Sequence, residues 1–422
     1  MARSRQRVRQ ISGDHRATRV LFLNSCVNGG GAGRSLAALL SVPQEGMESW
    51  VVMPESGVVA AHLRGVAHIE YVPEFVERLG RSPYTWPDRL RMQWLHGPAS
   101  AYALALATRK IIALARRIKP DVIHCNHMLA KPIGTMVGAA VGIPVVFHSR
   151  AVHQIPIDGA FYSWLGARKA VSRIICNSAA SAEVYRRRSA EKITIIPNSI
   201  DVSVFSRRQT APRLRLECGL AADDFVVGFV GRLHPKKGLD WLLRSFASLC
   251  RGHRNSVLVV LGDNDGGLHY DAGKGSRDLA AALGIGERVI FTGFRDDVRP
   301  YMADFDVLAF PSRLPESFGR VILEAMALEV PVVVAAHGGA IEVVEDGRQG
   351  LWVEVEDEPG LADALEQLAK DAELRRRMGR AGRERVAALY DVAPVARRVF
   401  GVLANAARDC GPLRRSLPAS EG

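Results

Sequence analysis

The chain has 422 residues, 48% hydrophobic and 24% charged, with a formal net charge of +12. That length exceeds one ordinary core and suits two domains, and the balance is that of a globular protein, not a disordered chain. No apolar run reaches the roughly 18 residues that a membrane-spanning helix needs, and the six cysteines show neither zinc spacing nor a dense disulfide framework, which predicts a reducing compartment. The positive balance predicts an anionic partner, and nucleic acid is not expected, because no DNA- or RNA-binding signature accompanies it.

Residues 1–17 read as a disordered basic tail without the apolar stretch of a secretory signal. A strand is predicted over 19–24, then a glycine cluster, then a helix over 35–40. Further strands are expected at 50–53, 122–124, 145–148, 173–176 and 192–196, with Ala-rich helices over 102–117 and 161–171. Within 73–98, Phe75, Tyr84, Trp86 and Trp94 alternate with Arg78, Arg81, Arg89 and Arg91. This segment reads either as a membrane-surface or acceptor-binding stretch or as an excursion of the core. The polar, proline-bearing stretch 197–213 interrupts the pattern, which then restarts. Strands are predicted at 225–231, 256–262, 289–292, 307–310 and 331–334, with helices at 239–250, 278–283 and 318–328. Residues 371–407 read as an Arg-rich helical cap. Alternation of this kind implies two α/β units, each with a parallel sheet and crossover helices.

Two segments carry the chemistry. In Glu316-Ser-Phe-Gly-Arg-Val-Ile-Leu-Glu324, Ser317 is expected to cap a helix starting at about Phe318, and Gly319 lets a ligand approach the backbone. Unpaired amides at such a helix start bind anions. The two carboxylates suit polyols on either side of a phosphate. The second segment, Gly231-Arg-Leu-His-Pro-Lys-Lys-Gly238, sets a planar guanidinium (Arg232) and a point charge (Lys237) on a turn between strand and helix.

Together these segments resemble the family-four retaining glycosyltransferases. GRLHPKKG at 231–238, LGD at 261–263, FTGF at 291–294, PSRLPESFGRVILEAMA at 311–327 and IEVVEDGRQGLWV at 341–353 carry the resemblance, with PNSID at 197–201 and GGGAGRSL at 29–36. It implies the GT-B fold: two Rossmann-like domains facing each other across a deep cleft. The expected division is an N-terminal acceptor-binding domain over 18–197 and a nucleotide-sugar-binding domain over 198–390. Residues 391–422 are expected to pack a helix back toward the first domain and end in a disordered tail.

The resemblance also implies roles. Arg232 and Lys237 neutralise the diphosphate of a nucleotide sugar, with Gly231 at the start of their loop. Glu316 meets hydroxyls of the transferred sugar beside the backbone of Ser317, Phe318 and Gly319. Glu324 holds the ribose, Gly293 and Phe294 lie against the base, and Gly30 and Gly31 belong to the loop that closes on the donor. His148 sits near the reacting carbon. No protein nucleophile is expected, because retaining transfer in this family runs on the front side of the sugar, and no cofactor is expected. In this architecture Asp263-Asn264-Asp265 is read as a strand-to-helix loop, so no metal is expected, and Asp296-Asp297 is read as a helix start.

Relatives often carry an acidic residue where Gly33 stands, so Arg34 is expected to meet an anionic group instead. The expected activity is transfer of a hexose-type sugar to an acceptor glycan, glycolipid or small molecule, in the cytoplasm or at an anionic membrane surface. A nucleotide-sugar epimerase, a phosphorylase and a non-catalytic sugar-nucleotide-binding module are the alternatives.

Overall fold

A computed structural model describes residues 16–27, 31–75, 97–153, 155–263 and 272–409. Its strands form two sheets. The first contains β1 (Thr18–Leu23), β2 (Met47–Met53), β3 (His68–Tyr71), β4 (Val122–Cys125), β5 (Val145–Ser149), β6 (Val171–Cys176) and β7 (Ile193–Ile195). The second contains β8 (Phe225–Val230), β9 (Ser256–Leu261), β10 (Val289–Gly293), β11 (Val307–Phe310), β12 (Val332–Ala335) and β13 (Gly350–Val353).

Strand order is β3-β2-β1-β4-β5-β6-β7 in the first sheet and β10-β9-β8-β11-β12-β13 in the second. Every strand pair in both sheets is parallel. The cause is visible in the strands: VVGFV in β8 or VVVA in β12 is apolar on both faces and must be covered on both by helices. Each order reverses beside its first strand, between β1 and β4 and between β8 and β11. Crevices open there, outside the carboxyl ends of the strands.

The edge strands β3 and β13 lay outside the predicted set. No residue of β3 is fully buried and only the two ends of the four-residue β13 are, so neither stood out as a buried run. The helix predicted at 161–171 runs instead over Pro156–Gly166. Pro156 suits a first turn, and Val171 is already buried in β6.

The predicted cap is two long helices, Ala372–Leu389 and Val392–Asp409, broken where Asp391 bridges to Ile200. The last of them turns its apolar stripe onto the first sheet, with Val395, Val399, Phe400 and Leu403 packed in one cluster with Val20 and Phe22. Among the described residues, no helix is long and apolar enough to cross a membrane. Of the aromatic segment at 73–98, Phe75 is fully buried; Tyr84, Trp86, Trp94 and the interleaved arginines lie outside the described residues, as do the tails 1–15 and 410–422.

Candidate active site

The loop after β8 is shaped by its own residues. His234 Nδ1 accepts a 3.1 Å hydrogen bond from the Lys236 amide and tightens Pro235–Lys237 into a 3-10 turn. Gly238 then takes φ +70°, and a Cβ there would sit 2.0 Å from the Pro311 carbonyl oxygen. Only glycine permits that approach, which presses this loop against the end of β11. Arg313 completes the clamp: its amide donates to the Lys236 carbonyl at 2.8 Å, and its guanidinium grips Asp240 at 2.5 and 2.8 Å. Lys237 is thereby aimed inward, where its ammonium pairs with the Glu316 carboxylate.

Glu316 lies on the loop after β11 and also accepts from Ser312 Oγ at 2.8 Å. Burial opposes its charge, but Lys237, the Ser312 hydroxyl and the Lys236 charge outweigh it and hold the carboxyl below its ordinary value. The following helix, Arg320–Ala327, starts two residues later than predicted, because Gly319 takes φ +83° and ends the loop. Ser317 is therefore not its cap. No side chain caps this N-terminus, so its amides face the cleft without a competing hydroxyl. Glu324, one turn into the helix and 7% exposed, accepts from Arg320 at 3.3 Å.

The facing wall comes from the first sheet. Asn126, after β4, donates to Asn24 Oδ1 and to the Ala32 carbonyl, both at 3.0 Å, and so ties the first turn of the helix Gly31–Leu40 to the residue after β1. At the end of β5, His148 is 2% exposed. Its Nδ1 lies 3.1 Å from His124 Nε2 and 3.3 Å from Arg150 Nη2.

A guanidinium can only donate, so His148 Nδ1 must accept, and the ring proton of the neutral imidazole sits on Nε2. Burial, with the charges of Arg150, the neighbouring His124 and Lys131, pushes the His148 pKa well below its ordinary value. Burial and the Arg150 charge push that of His124 down to about 3. His148 therefore offers the cleft a neutral N–H donor, not a base.

The walls enclose a cleft of about 450 Å³. It is lined by Gly31, His148, Gly231, Arg232, Lys237, Glu316, Ser317, Phe318, Gly319 and Glu324, all of them expected from the sequence. Both sheets contribute the carboxyl ends of their strands.

Residues 213–385 match the family model described as glycosyl transferases group 1, and residues 29–204 match the one described as Glycosyltransferase Family 4. A D-inositol 3-phosphate glycosyltransferase of Stackebrandtia nassauensis is 31% identical over 323 residues, 71% of this chain and 72% of that protein. The chain belongs to the group 1 glycosyltransferases. An N-acetyl-alpha-D-glucosaminyl L-malate synthase of Bacillus anthracis is 28% identical over 68% of this chain and 74% of its own length. Among solved structures, Anabaena Alr3699/HepE in complex with UDP and glucose is 26% identical, with a TM-score of 0.78 over 92% of this chain and all of that one. The lipopolysaccharide glycosyltransferase WaaG shares the GT-B fold, with a TM-score of 0.67 at 18% identity over 91% of this chain and 99% of that one.

Two expected residues of this glycosyltransferase, Gly293 and Phe294, stand apart from the cleft. Gly30 lies outside the described residues, and so do Asn264 and Asp265 of the acidic loop. Gly293 and Phe294, at the end of the edge strand β10, do not line the cleft, and Phe294 is 62% exposed. The reason is the intervening end of β9. The Gly262 amide donates to the Gly293 carbonyl at 3.0 Å, and the Gly231 amide to the Leu261 carbonyl at 2.9 Å, which sets one strand end between them. Asp297 meets its expectation as a helix start, accepting the Arg299 amide at 3.0 Å before the short helix Arg299–Met302.

The cleft of this glycosyltransferase also holds residues that the sequence reading missed. Arg150, Arg320, Lys131, Asn126 and Asn198 line the cleft, and His124 supports His148 from behind. Arg150 donates to Asn198 Oδ1, and Arg320 donates to Ser35 Oγ at 3.2 Å across the cleft. Arg320 stood inside the motif already under inspection. Asn198 stood inside the PNSID segment without a role being assigned to it, and the others belong to sequence stretches of ordinary composition, where no spacing singles them out.

Proposed function

We propose that this glycosyltransferase moves a hexose-type sugar from a nucleotide-diphosphate sugar to an acceptor hydroxyl, with retention at the anomeric carbon. The observation that carries the reading is the convergence of Arg232, Lys237 and the uncapped N-terminus of Arg320–Ala327 on one cleft, opposite the His148 N–H. Three sources of fixed positive potential at one place suit a diphosphate whose charge grows as the sugar–phosphate bond breaks. That supply needs no metal. The likeness to a structure holding UDP and glucose, and to the same protein with UDP-glucose at 25% identity, supports a uridine nucleotide as the first donor to try.

In this reading the diphosphate lies between Arg232, Lys237 and the amides near Gly319. Glu316 exchanges part of its bond to Lys237 for sugar hydroxyls, and Glu324 takes the ribose. Gly293 and Phe294 border the base beyond the end of β9. Both carboxylates of the described lining stand on the donor wall, each held by a cation. Neither faces the sugar from the acceptor wall as a nucleophile would. That favours front-side transfer, in which the leaving phosphate takes the acceptor proton while His148 Nε2–H steadies a sugar or acceptor hydroxyl. A cell-surface polysaccharide, lipopolysaccharide or glycolipid is the proposed product class, made on the cytoplasmic side of a membrane.

A thermal-shift screen against nucleotide sugars tests the donor, since a ligand bound only by the folded state raises its melting temperature. Proton NMR of the product made with the best donor tests retention. If no nucleotide sugar stabilises the protein, the donor reading fails; an inverted anomer would overturn the front-side path.

A further inference from the structure

The helix Ala179–Ser189 follows β6 in the first sheet, and its first backbone N–H groups find no partner within the helix itself. Two of them are satisfied locally. The Ser178 amide donates to Ser181 Oγ at 3.2 Å, and the Ser181 amide to Ser178 Oγ at 3.0 Å. The two amides between them turn to the other sheet. Glu342, in the short helix Ala340–Val343 after β12, accepts from the Ala179 amide at 2.8 Å through Oε2 and from the Ala180 amide at 3.1 Å through Oε1. One carboxylate thus completes a helix start that belongs to the opposite half of the molecule, and its charge meets the positive end of that helix.

The platform that presents Glu342 also carries the donor loop. The Glu342 carbonyl accepts from Arg385 Nη2 at 3.2 Å and from Tyr390 Oη at 3.4 Å, next to the Ile200–Asp391 bridge. Three residues before Glu342, the Gly339 amide donates to the Glu316 carbonyl at 2.7 Å. A Cβ on Gly339 would lie 2.2 Å from the Ser317 carbonyl oxygen, so only glycine permits this contact. His337 Nε2 donates to the Ser312 carbonyl at 2.6 Å. Segment 337–342 is therefore packed against the loop that bears Glu316, and its far end grips the first sheet's helix. Glu342 itself does not line the cleft.

We propose that Glu342 is a positioning residue for the transfer reaction. It ties the start of Ala179–Ser189 to the Glu316 loop and so holds the two walls at the separation at which that loop faces His148. Without it the Ala179 and Ala180 amides return to water, and the bonds of Ser317 to Arg150 and of Arg320 to Ser35 must keep the walls together. Glu342, Ala179 and Ala180 are only partly buried, so water can replace the carboxylate and the tie can open when product leaves. The inference concerns the facing of the walls and does not depend on which sugar is moved.

Hydrogen exchange on the full chain tests the contact. The Ala179 and Ala180 amides should exchange about tenfold faster in Glu342→Ala than in the native protein, the scale of one charge-assisted bond. X-ray scattering should show a larger radius of gyration for the variant. Hydrolysis of UDP-glucose, followed as UDP release, tests the positioning. Here kcat should fall about tenfold in Glu342→Ala, while UDP affinity by calorimetry is kept. Glu342→Gln retains one accepting oxygen and should fall between the two.

Unchanged exchange at Ala179 and Ala180, or a native kcat in Glu342→Ala, overturns the proposal. So does a variant that melts earlier but keeps the native kcat and scattering, since that marks a purely structural cap. If the native protein does not cleave UDP-glucose, the donor reading falls alone, and exchange and scattering of the two proteins still decide the Glu342 tie.

Discussion

Ser317 Oγ donates a 2.8 Å hydrogen bond to the carbonyl oxygen of Arg150, joining the donor-side loop after β11 to the end of β5 across the cleft. The same hydroxyl accepts from Asn177 Nδ2 at 3.3 Å. A residue expected to cap a helix instead holds the two sheets in register. Ser317→Ala should therefore cost about 1 kcal/mol of stability, the net worth of such a bond, without loss of helix. Thermal melting and circular dichroism check this; a drop in helical signal would restore the capping role.

Lys237→Ala removes the proposed phosphate contact and also leaves the half-buried Glu316 carboxylate without its cation. Turnover should fall by roughly two to three orders of magnitude, the scale for losing one preorganised electrostatic group, and stability should fall as well. Arg232→Ala, on an exposed side chain, should lower turnover without the stability loss. Steady-state kinetics and melting of the two variants separate these effects. Full turnover in both would remove the diphosphate assignment.

The Glu316 pair also predicts a pH dependence of stability. Its carboxyl titrates below the ordinary 4.5 in the folded protein, so its contribution is present above that value and disappears as pH falls through the folded pKa. The difference in melting temperature between the native protein and Glu316→Gln should shrink on acidification below about 4.5. A difference independent of pH would show that the charge plays no part.

His148 should not titrate in the working range. Because its pKa is pushed well below the ordinary 6.5 and its Nδ1 is occupied by two neighbours, no activity step near pH 6.5 should belong to it. His148→Ala should lower turnover evenly across pH 6–8, by roughly tenfold to a hundredfold for the loss of one donor. His124→Phe removes one support of the ring and should reduce kcat more than it raises KM. A pH–rate step that vanishes in His148→Ala would instead mark the imidazole as a general base.

Glu324→Ala should act mainly on nucleotide binding. It removes the proposed ribose contact and frees Arg320, which its carboxylate holds at 3.3 Å. A rise in the UDP dissociation constant of about tenfold, for one charge-assisted bond, is the expected result by calorimetry. Unchanged affinity would exclude the ribose role.

The donor side of the site was legible because its chemistry is local. Glu316, Ser317, Gly319 and Glu324 fall within nine consecutive residues, and Gly231, Arg232 and Lys237 within seven. Turn glycines, a strand before and a helix after declare each loop. The acceptor side was not legible in this way. Lys131 stands in an apolar helix segment, AKPIGTMV, and Arg150 follows β5 without any motif; their meaning depends on what faces them.

The amino-acid order by itself determined two parallel α/β sheets and the basic and acidic groups of each donor loop. Apolar runs and glycine positions act over a few residues, and no distant contact is needed to interpret them. Only the tertiary structure decided that Ser317 binds Arg150, that His124 and Arg150 fix the His148 proton, and that Lys131 is buried without a carboxylate. Those facts arise where strand ends remote in sequence are brought side by side. Charge compensation and tautomer are set by the neighbours that folding supplies, which no local pattern records.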